Sequence, residues 1–205
     1  AYGNGGQAIK PQAVIEELAR VAPHDAIIAT EVGQHQMWTA LFYTFRHPRT
    51  LLTSGGLGTM GYGFPAALGA QVGCPDRLVL DIAGDGSFQM NMQELTTAAA
   101  YDLPVKVIIL NNGSLGMVRQ WQQLFYDRRY SQTMLARNPD FVRLAESCGA
   151  AGFRVEARGD LRTALEQTLA TDGPALLDVA IEPEENVFPM VPAGQAINRM
   201  IGGMA

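Results

Sequence analysis

Short apolar runs alternate with helix-like stripes along most of the chain. Residues 26–30, 78–83, 105–110 and 175–181 form near-continuous apolar runs, with shorter strand candidates at 50–53 and 153–156. Runs of this kind suit strands covered on both faces of a parallel sheet. Between them, Val14, Ile15, Leu18 and Val21 recur at helical spacing after Pro11, which fits a first helical turn. Further helices are expected from about residue 34 to 42, from 63 to about 72, from 90 to 101, and from near Leu115 through Trp121. The Asn138-Pro139-Asp140 start predicts another, with Asn138 as cap, running to Ser147. Leu161, Leu165 and Leu169 mark a last helical stripe. Residues 126–137 read as an irregular, mobile loop. The expected fold is α/β: a three-layer α/β/α sandwich with a mainly parallel sheet of about six strands. Residues 1–181 read as one domain. Residues 182–205, with three prolines and a Gly-Gly near the end, read as a tail that covers it or flexes.

The polar residues that close two of the runs change the picture. Gly84-Asp85-Gly86 ends one run and Asn111-Asn112 ends another, with room for one helix between. In a parallel α/β unit this sets an acid and an amide at the carboxyl ends of neighbouring strands, where such folds bind ligands. Asp85, Asn112 and a backbone carbonyl, that of Ser114, offer oxygen ligands to Mg²⁺ holding a diphosphate. Ser87 and the following amides would face the phosphates at a helix start. The plain alternative is a tight turn with Asp85 as its cap.

Other motifs are more ambiguous. Gly56-Leu57-Gly58-Thr59-Met60-Gly61 matches GxGxxG, so a dinucleotide fingerprint must be weighed. The acid it requires should close the next strand, yet Asp81 sits inside that strand and Asp85 belongs to the following turn. The other reading is a close-packed turn that brings backbone near a flat ligand. Met60 within it either fills core or wedges beneath a bent cofactor. Gln34-His35 follows a strand and suits a surface histidine or a phosphate donor. Met117, Val118 and Trp121 share one helix side, as core or as the wall of a substrate pocket. Arg119, Arg128 and Arg129 suit a solvated face.

Composition removes several function classes. The 205 residues include 15 Lys+Arg and 20 Asp+Glu, for a net charge of −5, with no basic run. A nucleic-acid surface is not expected. No apolar stretch reaches the roughly 18 residues of a membrane span, and the first residues lack the features of a signal peptide. Ala1 to Gly6 read as a linker or a fragment boundary. Cys74 and Cys148 form no CxxC pair and are expected to be buried thiols in a reducing compartment, which suits the cytoplasm.

The GDG-helix-NN pattern resembles the thiamine-diphosphate signature. Glu31 to Trp38, Thr53 to Gly63, Gly116 to Gln122, Asn138-Pro139-Asp140-Phe141 and Phe188-Pro189-Met190-Val191-Pro192 further resemble the large catalytic subunit of the acetohydroxyacid synthase (acetolactate synthase) family, in its C-terminal domain. The resemblance implies cofactor contacts from Val32, Gly33, Gln34, His35, Gly58, Gly84, Gly86, Ser87, Leu115, Gly116 and Met117. It implies metal ligation by Asp85, Asn112 and the Ser114 carbonyl. It makes Met60 the prop that bends the cofactor, and so the catalytic position in this chain. It places Met117, Val118 and Trp121 at the pocket for the second 2-oxo acid. The family condenses pyruvate with pyruvate or 2-oxobutanoate in branched-chain amino-acid biosynthesis. Its full enzyme binds FAD, forms a dimer or tetramer, and can carry a regulatory small subunit. The activating glutamate and most of the FAD site lie on other domains, so the resemblance implies that this chain alone is inactive.

Overall fold

The computed structural model of the protein describes residues 8–202. The expected linker at residues 1–6 and the end of the expected tail lie outside them. Six strands form one sheet: β1 (Ile27–Thr30), β2 (Leu51–Thr53), β3 (Val79–Gly84), β4 (Lys106–Asn111), β5 (Ala151–Val155) and β6 (Ala175–Ala180). Their order is β2-β1-β3-β4-β6-β5, and every pairing is parallel.

The near-continuous apolar runs have a simple cause, since alternate residues of each strand serve two cores. Ile28, Leu80, Ile82, Ile108, Leu110, Leu177 and Val179 face helices α1 (Pro11–Val21), α2 (Gln34–Phe42) and α8 (Leu161–Ala170). Ile27, Ala29, Val79, Ala83, Val107, Ile109 and Leu176 face α3 (Gly63–Gly73), α5 (Leu95–Ala100) and α7 (Phe141–Ser147). Both sheet faces are therefore covered, as an all-parallel sheet requires. The helix after β1 packs on one face and the helix after β3 on the other. The chain thus opens a crevice at the carboxyl ends of β1 and β3, the switch point of an open α/β sheet.

Three local expectations are corrected. The helix expected over 90–101 gives way to a 3-10 turn (Met92–Glu94) and the shorter α5, and a single turn, α4 (Asp85–Phe88), precedes that range. Asn91 interrupts the expected helix, because its side-chain amide donates to the Gly61 carbonyl at 2.6 Å while its backbone is not helical, with φ of −138° and ψ of 27°. Asp140, rather than Asn138, caps α7, accepting from the Arg143 backbone N–H. Asn138 is occupied elsewhere. Cys74 and Cys148 are free thiols but only half-buried. No helix among the described residues is long and apolar enough to cross a membrane.

The helix α3 packs tightly on the sheet beside β1 and β3. A Cβ at Gly63 would collide with the Glu31 backbone nitrogen and lie 2.5 Å from Asp81 Oδ1, whereas one at Gly69 would meet open space. Gly63→Ala should therefore cost about 1–3 kcal/mol, as overpacking does. Gly69→Ala in the same helix should stabilise by about 0.5–1 kcal/mol. Urea denaturation of the two variants checks the contrast, and equal effects would contradict it.

Candidate diphosphate and metal site

Three chain crossings at the strand ends line an open cleft. The turn after β1 supplies Val32, Gly33, Gln34 and His35, and the turn after β3 supplies Gly84, Asp85, Gly86 and Ser87. The segment after β4 supplies Asn112, Ser114, Leu115, Gly116, Met117 and Val118, and Met60 enters from the Gly-rich loop. Thus the sequence-predicted residues converge, with two exceptions. Gly58 is exposed and stands beyond the lining, with a φ of +63°. Trp121 borders a separate hollow with Phe125, Tyr126 and Met190 to Ala193. Trp38, the end of the Glu31 to Trp38 motif, and Leu110 also line the cleft, though neither was named as a site residue.

Glycines let the polar side chains crowd together. A Cβ at Gly33 would lie 2.8 Å from His35 Cε1, and one at Gly84 would lie 2.7 Å from His35 Nδ1. Burial pushes the His35 imidazole down to about 3, so it is neutral at physiological pH. Its Nε2 lies 3.5 Å from Ser87 Oγ, and Ser87 Oγ also donates to the Gly84 carbonyl. A Cβ at Gly116 would strike Gln34 Oε1 and the Asn112 amide. Gln34 Oε1 accepts from Asn112 Nδ2 at 3.3 Å, and Gln34 Nε2 donates to Gln120 Oε1 at 2.8 Å.

Asp85 is 1 % exposed. Asn138 Nδ2 donates to its Oδ2 at 2.6 Å, and the backbone N–H groups of Asp85 and Asn112 also bear on the carboxylate. Burial nevertheless holds the carboxyl up at about 6, and the nearby Asp178 adds to the rise. A buried carboxylate with amide donors and no basic side chain paired to it among the described residues is suited to receive a cation. Asn112 Oδ1 accepts from the Ser114 backbone N–H at 3.0 Å. Ser114 pairs with Met134 across an isolated antiparallel bridge, with the bonds Leu115 N–H to Thr133 O and Leu135 N–H to Gly113 O on either side. In that pattern the carbonyl of Ser114 points away from the 133–135 segment. Carboxylate, amide oxygen and carbonyl are the hard, all-oxygen types of donor that could hold Mg²⁺ together with water and phosphate. They are not a His, Cys and acid cluster, and none of three or more such residues occurs among the described residues. The N-termini of α2 and α6 (Gly116–Phe125) both open on this cleft without a side-chain cap, leaving N–H groups for an anion.

The helix α6 inverts the expected burial. Arg119 is 3 % exposed and Gln120 is fully buried, while Val118 and Trp121 are about half exposed. The expectation of a solvated Arg119 fails because the tail folds over it. Arg119 donates to the Glu185 carbonyl at 2.8 Å and to Asn186 Oδ1 at 2.9 Å. Gln120 exchanges bonds with the Val187 backbone, and Gln34 Nε2 reaches the Glu185 carbonyl at 3.0 Å. The core reading of Met117, Val118 and Trp121 is likewise overturned; Met117 and Val118 wall the cleft and Trp121 stands outside it. Asn138 and Gln120 escaped the sequence reading because their partners lie 53 and 86 residues away.

With chelator present, the Asp85→Asn variant should be more stable than the parent above about pH 6, by roughly 2 kcal/mol. The folded carboxyl titrates above its unfolded value, so its ionisation costs stability as pH rises through that window. The gain should vanish below about pH 4, where the carboxyl is protonated in both states. Thermal melts across pH check this, and a variant less stable at pH 7 would contradict it.

Comparison with known proteins agrees with this geometry. Residues 31–179 match the family described as thiamine pyrophosphate enzyme, C-terminal TPP binding domain. The chain is 52% identical over 196 residues to a mitochondrial acetolactate synthase catalytic subunit of Aspergillus candidus, covering 94% of this chain and 28% of that protein. It is 50% identical to the corresponding mitochondrial subunit of Saccharomyces cerevisiae, covering 96% and 29%. It is 47% identical to the acetolactate synthase isozyme 2 large subunit of Escherichia coli, covering 98% and 36%. The chain thus spans about a third of the length of these relatives. Two of them are named mitochondrial and others chloroplastic, so the relatives do not share one compartment. A solved thiamine diphosphate-dependent 4-hydroxybenzoylformate decarboxylase of Rhodococcus jostii RHA1 superposes with a TM-score of 0.79 at 32% identity, over 89% of this chain and 34% of that one. On the matched span, the shared sheet and the identity to these relatives, the chain belongs to the family of C-terminal thiamine pyrophosphate-binding domains of thiamine pyrophosphate enzymes, with acetolactate synthase catalytic subunits among its relatives.

Proposed function

We propose that this chain is the cofactor-binding part of an acetolactate synthase, holding thiamine diphosphate through Mg²⁺ in the cleft at the strand ends. The observation that carries this reading is the Asp85 carboxylate, buried beside the Asn112 backbone N–H at the end of the neighbouring strand and paired with no basic side chain among the described residues. Asp85, Asn112 Oδ1 and the Ser114 carbonyl would hold the metal. The uncapped starts of α2 and α6, with Ser87 and His35, would receive the diphosphate. A neutral His35 can donate one hydrogen bond to it without a strong charge. Met60 would support the ring system, and Met117 and Val118 would border the substrate side.

Thiamine diphosphate supplies the electron sink for decarboxylating a 2-oxo acid, and the protein supplies orientation and electrostatics. The reading extends to pyruvate and a second 2-oxo acid as substrates, and to FAD in the full enzyme. It also extends to a homo-oligomeric assembly and a small-subunit partner, since one relative is named a large subunit. The exposed apolar side of α6 and Leu57, which is 93% exposed, suits a surface that meets other domains. Among thiamine diphosphate enzymes, identity near 50% to acetolactate synthases against 32% to a decarboxylase favours the former.

Calorimetric titration tests the reading. Thiamine diphosphate should bind with Mg²⁺ and much more weakly with chelator, and Asp85→Ala should weaken Mg²⁺-dependent binding by at least about 100-fold, about 3 kcal/mol. Binding independent of Mg²⁺, or tight binding of NAD instead, would overturn it. The chain by itself should form no acetolactate, because half of the site belongs to other domains, and measurable product would refute that part.

A further inference from the structure

Two carboxyl groups have no role in the reading above, and both are completely buried. Glu31 follows β1 and Asp81 lies within β3, each with 0 % exposure. The Glu31 carboxylate accepts the Gly61 N–H on Oε2 at 2.6 Å and the Phe64 N–H on Oε1 at 3.0 Å. The Gly63 N–H faces it as well. These three amides belong to the turn that directly follows Met60 and opens α3.

Asp81 has the opposite surroundings. It is in register with Ala29 of β1 and Val107 of β4, and it faces the core that Phe64 and Ala67 of α3 complete. Neither of its carboxyl oxygens has a hydrogen-bond partner. Among the described residues, Glu31 is the charged group that acts on it. The two meet at Gly63, where an added Cβ would touch both the Glu31 backbone and Asp81 Oδ1.

Two buried carboxyls that share one wall of the core and feel each other's charge do not both ionise at neutral pH. The proton goes to the one without donors, because an unpartnered buried anion costs more than a neutral acid. Burial and the Glu31 charge push Asp81 well above the ordinary carboxylate range, while burial raises Glu31 less, because its three amide donors oppose it in part.

We propose that Glu31 and Asp81 hold one proton between them, Asp81 as the neutral acid and Glu31 as the anion, and that this anion is a positioning residue for Met60. A charged acceptor binds amide donors more strongly than a neutral one. The proton on Asp81 keeps that charge on Glu31, and so keeps the turn after Met60 drawn onto the sheet. Ionisation of Asp81 at alkaline pH sets a second anion beside Glu31. Stability is therefore full in acid, where Asp81 keeps its proton, and falls as pH rises through the raised value. The Met60 half of the proposal rests on the cofactor reading, and the proton half does not.

Infrared spectroscopy of protein labelled with ¹³C-carboxyl aspartate tests the proton. A protonated-carboxyl band should be present at pH 8, where the Asp85 carboxyl is ionised, persist in Glu31→Gln, and vanish in Asp81→Asn. Absence of the band in the parent, or its survival in Asp81→Asn, overturns the pair. Asp81→Asn should melt no lower than the parent at pH 7 and higher at pH 9; a lower melting point at pH 7 also overturns it. Titration with thiamine diphosphate and Mg²⁺ tests the positioning. Glu31→Gln should weaken binding about tenfold and Asp81→Asn less than about twofold. In a Met60→Ala background the Glu31→Gln effect should shrink to about twofold or less. Full additivity overturns the positioning role. A parent that binds no cofactor defeats the functional reading while the infrared result still judges the pair. Should Glu31→Gln not fold, Asp81→Asn carries the infrared and melting arms.

Discussion

A carboxyl group buried among amide donors, with no basic side chain paired to it among the described residues, is the constraint around which this cleft is arranged. Asp85 is held at the carboxyl end of β3 by amide donors alone, and its surroundings raise the cost of its charge. Folding tolerates such a group because the sheet leaves little choice of place. β3 and β4 run side by side, both faces of the sheet are covered by helices, and the polar residues that end each strand meet at one rim. A divalent cation at that rim would turn an electrostatic liability into the anchor of a diphosphate.

The rim is braced from two directions. On one side a chain of side-chain bonds runs from Asp85 to Asn138, from Asn138 to Asn111, from Asn111 to Asp178, and from Asp178 to Arg154, which also meets the α7 cap Asp140. On the other side Gln34, Gln120 and Arg119 tie α2 and α6 to residues 185–187 of the tail. Placement of the ligand oxygens thus depends on segments far from them in sequence. The polar groups of α6 face inward to make these ties, which leaves its apolar side to the cleft mouth and to solvent.

Much of this was legible in the sequence because it rests on local patterns. Apolar runs marked the sheet, and Pro11 marked the start of α1 at the observed residue. The GDG and NN motifs marked strand ends that adjoin in space. What escaped depends on long-range pairing. Asn138 looks like a cap because Asn before Pro usually is one, but an amide 2.6 Å from Asp85 is better used there, and Asp140 caps instead. The helix over 90–101 had good composition and was broken by one contact from Asn91 to the Gly61 carbonyl. Arg119 looked solvated because the tail that buries it lies 66 residues on. Asp81 was visible only as an acid misplaced for a dinucleotide site, and its unpartnered burial belongs to the tertiary structure.

The most direct measurement is a crystal structure of the protein grown with thiamine diphosphate and Mn²⁺, read by anomalous scattering at the manganese edge. The account predicts one strong peak bounded by the Asp85 carboxylate, the Asn112 side-chain oxygen and the Ser114 carbonyl, with the diphosphate on the same ion. An ordered diphosphate in the cleft with its metal held by other residues, or a metal found only at exposed carboxylates, would contradict it.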